Sequence, residues 1–243
     1  RVTSASRPCW RNKQKGQTMG WELKDVEKPF VEQLEALGWM HISGSIDEPT
    51  VTGRTSFTEV IQEGVLRAKL AEINLREVDG AFVPWLDEGR ISEAVAAITR
   101  IARPKLIEAN QAATELLLLG ITVDGLPGWD GGRGQTIRFI DWDTPENNTF
   151  TVVNQFRVDC PPGYNSGKAF IVPDLVLLVN GIPLVVVECK SPSVPEPLAD
   201  AIDQLRRYSN QRRASGEVDD NEGNEPLFHT NQLLVATSFD EAR

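Results

Sequence analysis

Cysteine, histidine, tyrosine and methionine are all scarce in this 243-residue chain, at three, two, two and two residues. Cys9, Cys160 and Cys189 form no CxxC pair and cannot all pair with one another, so reduced thiols are expected rather than a disulfide framework. With only His41 and His229 there is little material for a zinc site or a histidine-based triad. Chemistry in this chain therefore falls to carboxylates and lysine. A positive charge balance is missing as well: 25 Lys and Arg stand against 35 Asp and Glu, a net charge of −10. That excludes coating nucleic acid by bulk electrostatics and leaves a local basic patch or partner domains to hold any DNA. No apolar run approaches the roughly 18–20 residues of a membrane span; Leu175–Val179 and Leu184–Val187 are strand-sized. The first twenty residues lack the apolar stretch of a signal peptide, so a cytoplasmic protein without membrane contact is expected. No Gly-xxxx-Gly-Lys-Ser/Thr loop occurs, since the glycine-rich run Gly131–Gly134 has no such lysine.

What is present is an ordinary globular composition, 40% hydrophobic and 25% charged. Residues 1–20 read as a flexible basic leader. The spacing of Val26, Phe30, Leu34 and Leu37 predicts a helix over 21–39 that stops at Gly38. Further helices are expected over Phe57–Leu75, Glu88–Ile101 and Lys105–Leu119, with Gly120 as the last one's C-terminal cap. Gly44–Gly53, Asp79–Pro84 and Gly125–Gly134 read as loops. Beyond them the period changes to that of strands, at Thr136–Ile140, Thr149–Asp159, Ile171–Val179, Ile182–Glu188 and Gln232–Thr237. Pro195–Arg213 reads as a helix starting near Pro197, with Leu198, Ile202, Leu205 and Tyr208 on a single face. The expectation is an α/β protein: a mostly helical part over 21–135, then a mixed central sheet flanked by helices over 136–243. Strands apolar at every position require cover on both faces.

Three charges interrupt those strands. Asp174 follows Pro173 at the start of one; Glu188 and Lys190 leave the next, before Ser191-Pro192. Charges beside a doubly covered sheet are costly unless paired or bound to a metal. Two neighbouring carboxylates suit Mg²⁺, and a lysine beside them can steady charge on a phosphoryl oxygen. The plainer alternative is a buried ion pair between Lys190 and one acid. Gln204 and Tyr208, four residues apart on the following helix, extend the constellation.

Pro173-Asp174…Glu188-x-Lys190 resembles the PD-(D/E)xK nuclease superfamily. The wider text is similar to the N-terminal endonuclease domain of the R subunit of type I restriction enzymes. It comprises Phe139-Ile140-Asp141, Pro145-Glu146-Asn147-Asn148, Asn154-Gln155-Phe156, Asn180-Gly181-Ile182-Pro183, Gln204-Leu205-Arg206-Arg207-Tyr208 and Asn231-Gln232 through Thr237. The resemblance implies a restriction-endonuclease-like core over 21–243 that cleaves double-stranded DNA by metal-assisted hydrolysis. It implies Asp174, Glu188 and the carbonyl of Cys189 as Mg²⁺ ligands and Lys190 as the catalytic lysine. Gln204 and Tyr208 match a motif that contacts DNA or supports the acids. Glu27 stands where many members carry an acid on the first helix, although Glu32 and Glu35 share that helix. The implied partners are helicase-like motor domains of the same subunit, through which alone ATP would act, and the methyltransferase and specificity subunits. On this reading the chain is a nuclease domain ending about where a motor would begin. The rival readings are a non-catalytic DNA-clamping or docking module of the same fold, and another nuclease of the superfamily.

The hairpin between the two acids makes a sharp demand. Asn180-Gly181 signals a two-residue type I′ turn pairing Val179 with Ile182. Continued regularly, that ladder sets Asp174 opposite Val187 and turns Glu188 and Lys190 to the other face. A shared metal then requires a one-residue offset, from a longer loop with Gly181 left-handed or from a bulge at Pro183, which has no N–H to pair.

Overall fold

The computed structural model describes residues 26–161, 169–211, 222–238 and 241–242. The basic leader lies outside them. Five α-helices occur among the described residues: α1 (Lys28–Ala36), α2 (Glu63–Ile73), α3 (Glu88–Thr99), α4 (Leu106–Leu119) and α5 (Pro197–Tyr208). None is long and apolar enough to cross a membrane. The strands are β1 (Met40–Ser43), β2 (Leu75–Val78), β3 (Ala81–Pro84), β4 (Ile121–Asp124), β5 (Gly134–Ile137) and β6 (Phe150–Asn154). Then follow β7 (Val158–Asp159), β8 (Phe170–Ile171), β9 (Leu175–Val179), β10 (Ile182–Cys189), β11 (Leu233–Ser238) and β12 (Glu241–Ala242).

Six strands form one mixed sheet in the order β1-β6-β9-β10-β11-β12. β1 runs parallel to β6 and β10 parallel to β11; the other neighbours are antiparallel. A parallel pair needs a crossover, and α5 supplies it between β10 and β11, packing against both. The sheet is covered on two faces, as its apolar strands demand. Val176, Leu178 and Val186 pack with Leu198, Ala201, Leu205 and Tyr208 of α5. Leu175, Leu177, Val187 and Cys189 pack with Val26 and Val31 at α1. A third cluster joins α2, α3 and α4 to the hairpin end, at Val179 and Ile182.

Several expectations need correction. The helix read over Phe57–Leu75 is confined to Glu63–Ile73, because the backbone before it is bonded to other segments: Asp159 N in β7 donates to Phe57 O at 2.9 Å and Gln62 N to Gly181 O of the hairpin turn at 2.9 Å. Asp79–Pro84 is not a loop. β2 and β3 pair as a hairpin about Asp79-Gly80, both at positive φ (51° and 80°). Its strands are largely exposed and so show no alternation of buried residues. β1 and β4 are strands beyond those expected, and β1 joins the core sheet from within the part expected to be mostly helical. Thr149–Asp159 breaks at Gln155, which lies at φ 51°, and Ile171–Val179 breaks at Pro173-Asp174.

A candidate acid–lysine site at the sheet end

The hairpin builds the site. Asn180 and Gly181 lie at φ 53° and 79°, the two left-handed residues of a type I′ turn, and Ile182 pairs with Val179. A side chain at Gly181 would put its Cβ 2.7 Å from Gln62 O. Asn180 is fully buried: its Oδ1 accepts from Thr149 N at 2.8 Å, and its Nδ2 donates to Phe139 O at 2.9 Å and to Asn148 Oδ1 at 2.8 Å. The turn is thus fixed, yet the register changes below it. Pro183 pairs with Leu178, but Val185 pairs with Leu177 and Val187 with Leu175. Leu184 is the extra residue of a bulge. One further step sets Glu188 opposite Asp174, on the α5 face shared by Val176 and Val186. The offset demanded by the shared-metal reading is present, at the bulge following Pro183.

Around that pair the contacts are short. Asp174 Oδ2 accepts from Cys189 N at 2.7 Å. Lys190 Nζ donates to Glu188 Oε1 at 2.7 Å and reaches the carbonyl of Cys189 at 3.3 Å. Lys190 N donates to Thr237 O at 2.9 Å, which ties the strand end to β11. Glu188 is fully buried and the Lys190 side chain only 13% exposed. Burial and the negative charge of Asp174 hold the Glu188 carboxyl well above the usual carboxylate range, against the opposing pull of Lys190. Glu188 Oε2 is buried without a hydrogen-bond partner among the described residues. Burial also pushes the Cys189 thiol up, so its side chain is a neutral core group.

Gln204 and Tyr208 reach the site indirectly. Gln204 Nε2 donates to Tyr208 Oη at 2.7 Å, and Tyr208 Oη donates to Val172 O at 3.1 Å, two residues before Asp174. Burial, with the charges of Glu188 and Asp174, raises the tyrosine hydroxyl. This pair braces the loop that presents Asp174.

Glu27 precedes α1 and is 3% exposed, unlike Glu32 and Glu35 on the same helix. Its Oε1 accepts from Asn154 Nδ2 at 2.9 Å and its Oε2 from Gln155 Nε2 at 3.3 Å. Burial, chiefly, raises its pKa to about 7; the charge of Asp174 adds to this and the amide donors oppose it. Asn154 and Gln155 were legible only as family text; nothing in their spacing with Glu27, far away in sequence, announces the contact.

Among the described residues no three His, Cys, Asp or Glu side chains converge as a metal-binding group. The protein would thus offer a cation two carboxylates and one carbonyl, and Mg²⁺ commonly keeps several waters in such a shell. Glu188 Oε2, buried with no hydrogen-bond partner among the described residues and beside a second negative charge, fits a cation ligand.

Comparison with known proteins converges on one family. The family model for the type I restriction enzyme R protein N terminus matches residues 23–243. The HindI endonuclease subunit of a type I restriction enzyme from Haemophilus influenzae is 28% identical over 90% of this chain and 18% of its own length. The MjaIXP protein of Methanocaldococcus jannaschii, provisionally assigned as such a subunit, is 29% identical over 72% of this chain and 16% of its own length. The chain thus spans less than a fifth of the length of these relatives. With a match over nearly all of its residues, the chain belongs to the family of N-terminal domains of type I restriction enzyme R proteins.

Proposed function

We propose that this chain is the Mg²⁺-dependent endonuclease domain of a type I restriction enzyme, hydrolysing phosphodiester bonds of double-stranded DNA at Asp174, Glu188 and Lys190. The single observation that carries this reading is the bulge at Leu184, which brings the two acids opposite each other although a two-residue turn precedes them. The same strand then sets Lys190 Nζ against both Glu188 and the Cys189 carbonyl. Bound there, Mg²⁺ would polarise a scissile phosphate and lower the pKa of a water. The chain's own residues do the rest. Asp174, held by Cys189 N–H, and Glu188 present carboxylate oxygens together with the Cys189 carbonyl. Lys190 orients the attacking water and offsets negative charge building on the phosphoryl oxygens. Gln204 and Tyr208 hold the Asp174 loop in place.

A net charge of −10 supports little intrinsic DNA affinity, so the substrate is held by partners: motor domains of the same subunit, which alone use ATP, with methyltransferase and specificity subunits. The setting is the cytoplasm. The test is double-strand cleavage by the complete, assembled enzyme with Mg²⁺ and ATP, wild type beside Lys190→Ala. Cleavage should fall at least about 100-fold, in keeping with losing one preorganised stabilising group, with ATP hydrolysis retained. Cleavage at the wild-type rate would refute the assignment; loss of ATPase in a folded variant would give Lys190 a coupling role instead.

A further inference from the structure

Away from the acid–lysine site, the start of α4, the end of α5 and the start of β11 enclose a cavity of about 420 Å³. That falls within the roughly 300–1,000 Å³ of small-molecule sites and suits one mononucleotide. Leu106 and Ile107 of α4 and Leu233 and Leu234 of β11 line it with aliphatic side chains, three of them exposed. Leu233 pairs with Val185 and Ala236 with Glu188, so Leu233 lies about 10 Å along the strand from the acids, at about 3.3 Å per residue. Asn231 also lines the cavity. It is 8% exposed, and neither its Oδ1 nor its Nδ2 has a hydrogen-bond partner among the described residues. Its surroundings are tied down. Thr230 Oγ1 donates to Pro183 O at 2.8 Å, and Gln232 N to Leu184 O at 2.7 Å. Asn110 Nδ2 of α4 donates to the Asn231 carbonyl itself at 2.6 Å. The fold thus fixes the backbone of Asn231 and leaves its amide buried and unpaired, which costs stability unless a ligand completes it.

The rim is cationic, although the chain as a whole carries −10. Exposed Arg206 of α5 lines the cavity and exposed Lys105 immediately precedes Leu106; neither has an ion pair among the described residues. Helix α4 begins there without a side-chain cap, and the acid of its first turn, Glu108, does not line the cavity. Uncapped N–H groups, the helix dipole and an arginine together favour a phosphate. Aliphatic walls accept the faces of a base, and an amide offering donor and acceptor side by side matches the N6–H and N7 edge of adenine. We infer that this cavity binds an adenosine 5′-phosphate unit, either a free nucleotide or one in an unpaired stretch of DNA. The base lies between α4 and β11 against Asn231, and the phosphate meets Arg206 and the start of α4. The inference goes beyond the nuclease reading and does not rest on it, so either can fail without the other.

The test is isothermal titration of the 243-residue chain in EDTA, so that neither a bound cation nor cleavage intervenes. The probes are adenosine and cytidine 5′-monophosphate, and short single-stranded oligo(dA) and oligo(dC). Wild type should prefer adenine to cytosine at least about fivefold in one or both pairs, and Asn231→Leu should abolish that preference. Preference among the monophosphates identifies a free nucleotide as the ligand; preference among the oligonucleotides alone identifies a DNA strand. Arg206→Gln should weaken the adenine probe about threefold. Lys28→Gln, which removes an exposed charge from α1, should leave it unchanged, because exposed charges are screened. Near-ultraviolet circular dichroism checks that each variant is folded. Should Asn231→Leu fail to fold, Arg206→Gln, altered at an exposed side chain, decides the matter beside Lys28→Gln. Equal affinity for adenine and cytosine in wild type overturns the inference, as does a retained preference in Asn231→Leu. Equal weakening by Arg206→Gln and Lys28→Gln also overturns it, as a general charge effect. Absence of binding by every probe, the result that a peptide cleft would give, overturns it too.

Discussion

Replacing Lys190 by methionine isolates the electrostatics of the site. The substitution keeps most of the aliphatic stem and deletes the ammonium 2.7 Å from Glu188 Oε1. Glu188 has no exposed surface, so its charge cannot turn to water. Breaking a buried pair by removing one partner typically costs about 3–5 kcal/mol. The carboxylate has one escape, which is to take up a proton. From an ordinary value of 4.5, neutralisation costs about 1.4 kcal/mol for each pH unit above it. That makes about 5 kcal/mol at pH 8 and about 1.4 kcal/mol at pH 5.5, so the pair-breaking penalty governs at pH 8 and protonation relieves it at pH 5.5. The sign follows from a folded-state pKa raised above the unfolded one: stability is greatest below about 4.5 and is lost as pH rises through the folded value. Urea denaturation in EDTA at the two pH values should show Lys190→Met losing about 3 kcal/mol at pH 8 and about 1 kcal/mol at pH 5.5. Glu188→Gln/Lys190→Met should recover most of the loss at pH 8. A loss below about 1 kcal/mol at pH 8, or one independent of pH, would show that the pair is solvated and refute the reasoning.

Millimolar Mg²⁺ at ten times its dissociation constant should stabilise the wild type by about 1.4 kcal/mol, about 3–5 °C in melting temperature, and leave Asp174→Asn unmoved; equal shifts would place the cation elsewhere. Asn180→Ala should lose about 3 kcal/mol in a denaturation midpoint experiment, from three side-chain hydrogen bonds, two of them buried, and the left-handed backbone at φ 53°. A loss under about 1 kcal/mol would mean that the turn reorganises. Glu27, raised to about 7, favours its protonated form when folded, so in EDTA wild-type stability should decline as pH rises from about 4.5 to about 7. Glu27→Gln should flatten that decline, and an unchanged slope would assign it to other groups.

Much of this was written locally in the chain. The period of Leu106–Leu119 and the glycine after it were enough to place α4 to within a residue, because helix periodicity and a C-terminal cap are short-range signals. Leu175–Val179 and the Asn-Gly turn identified the central hairpin for the same reason, and the alternation of strand faces alone required an offset if Asp174 and Glu188 were to share a face. The hairpin of β2 and β3 escaped notice because its strands bury little. With Leu75 41% exposed and Phe82 70% exposed, they lack the alternating pattern that burial imprints on sequence. β1 escaped because four residues gain their strand character only by pairing with β6, more than a hundred residues away.

The sequence by itself determined which residues are chemically equipped: two acids, a lysine and the Gln204–Tyr208 pair, all set within or next to apolar strands or helix. Tertiary structure alone decided how they meet. Of the two ways to offset the hairpin, a longer loop or a bulge, the fold uses the bulge. Asn180 ties the two-residue turn to Thr149, Phe139 and Asn148, and Gly181 is pressed against Gln62, so the extra residue is taken up at Leu184 instead. Glu27 likewise looked like any acid on a surface helix. Its burial, and its capture by Asn154 and Gln155, exist only because α1 folds back onto the end of β6, a contact that no local pattern encodes.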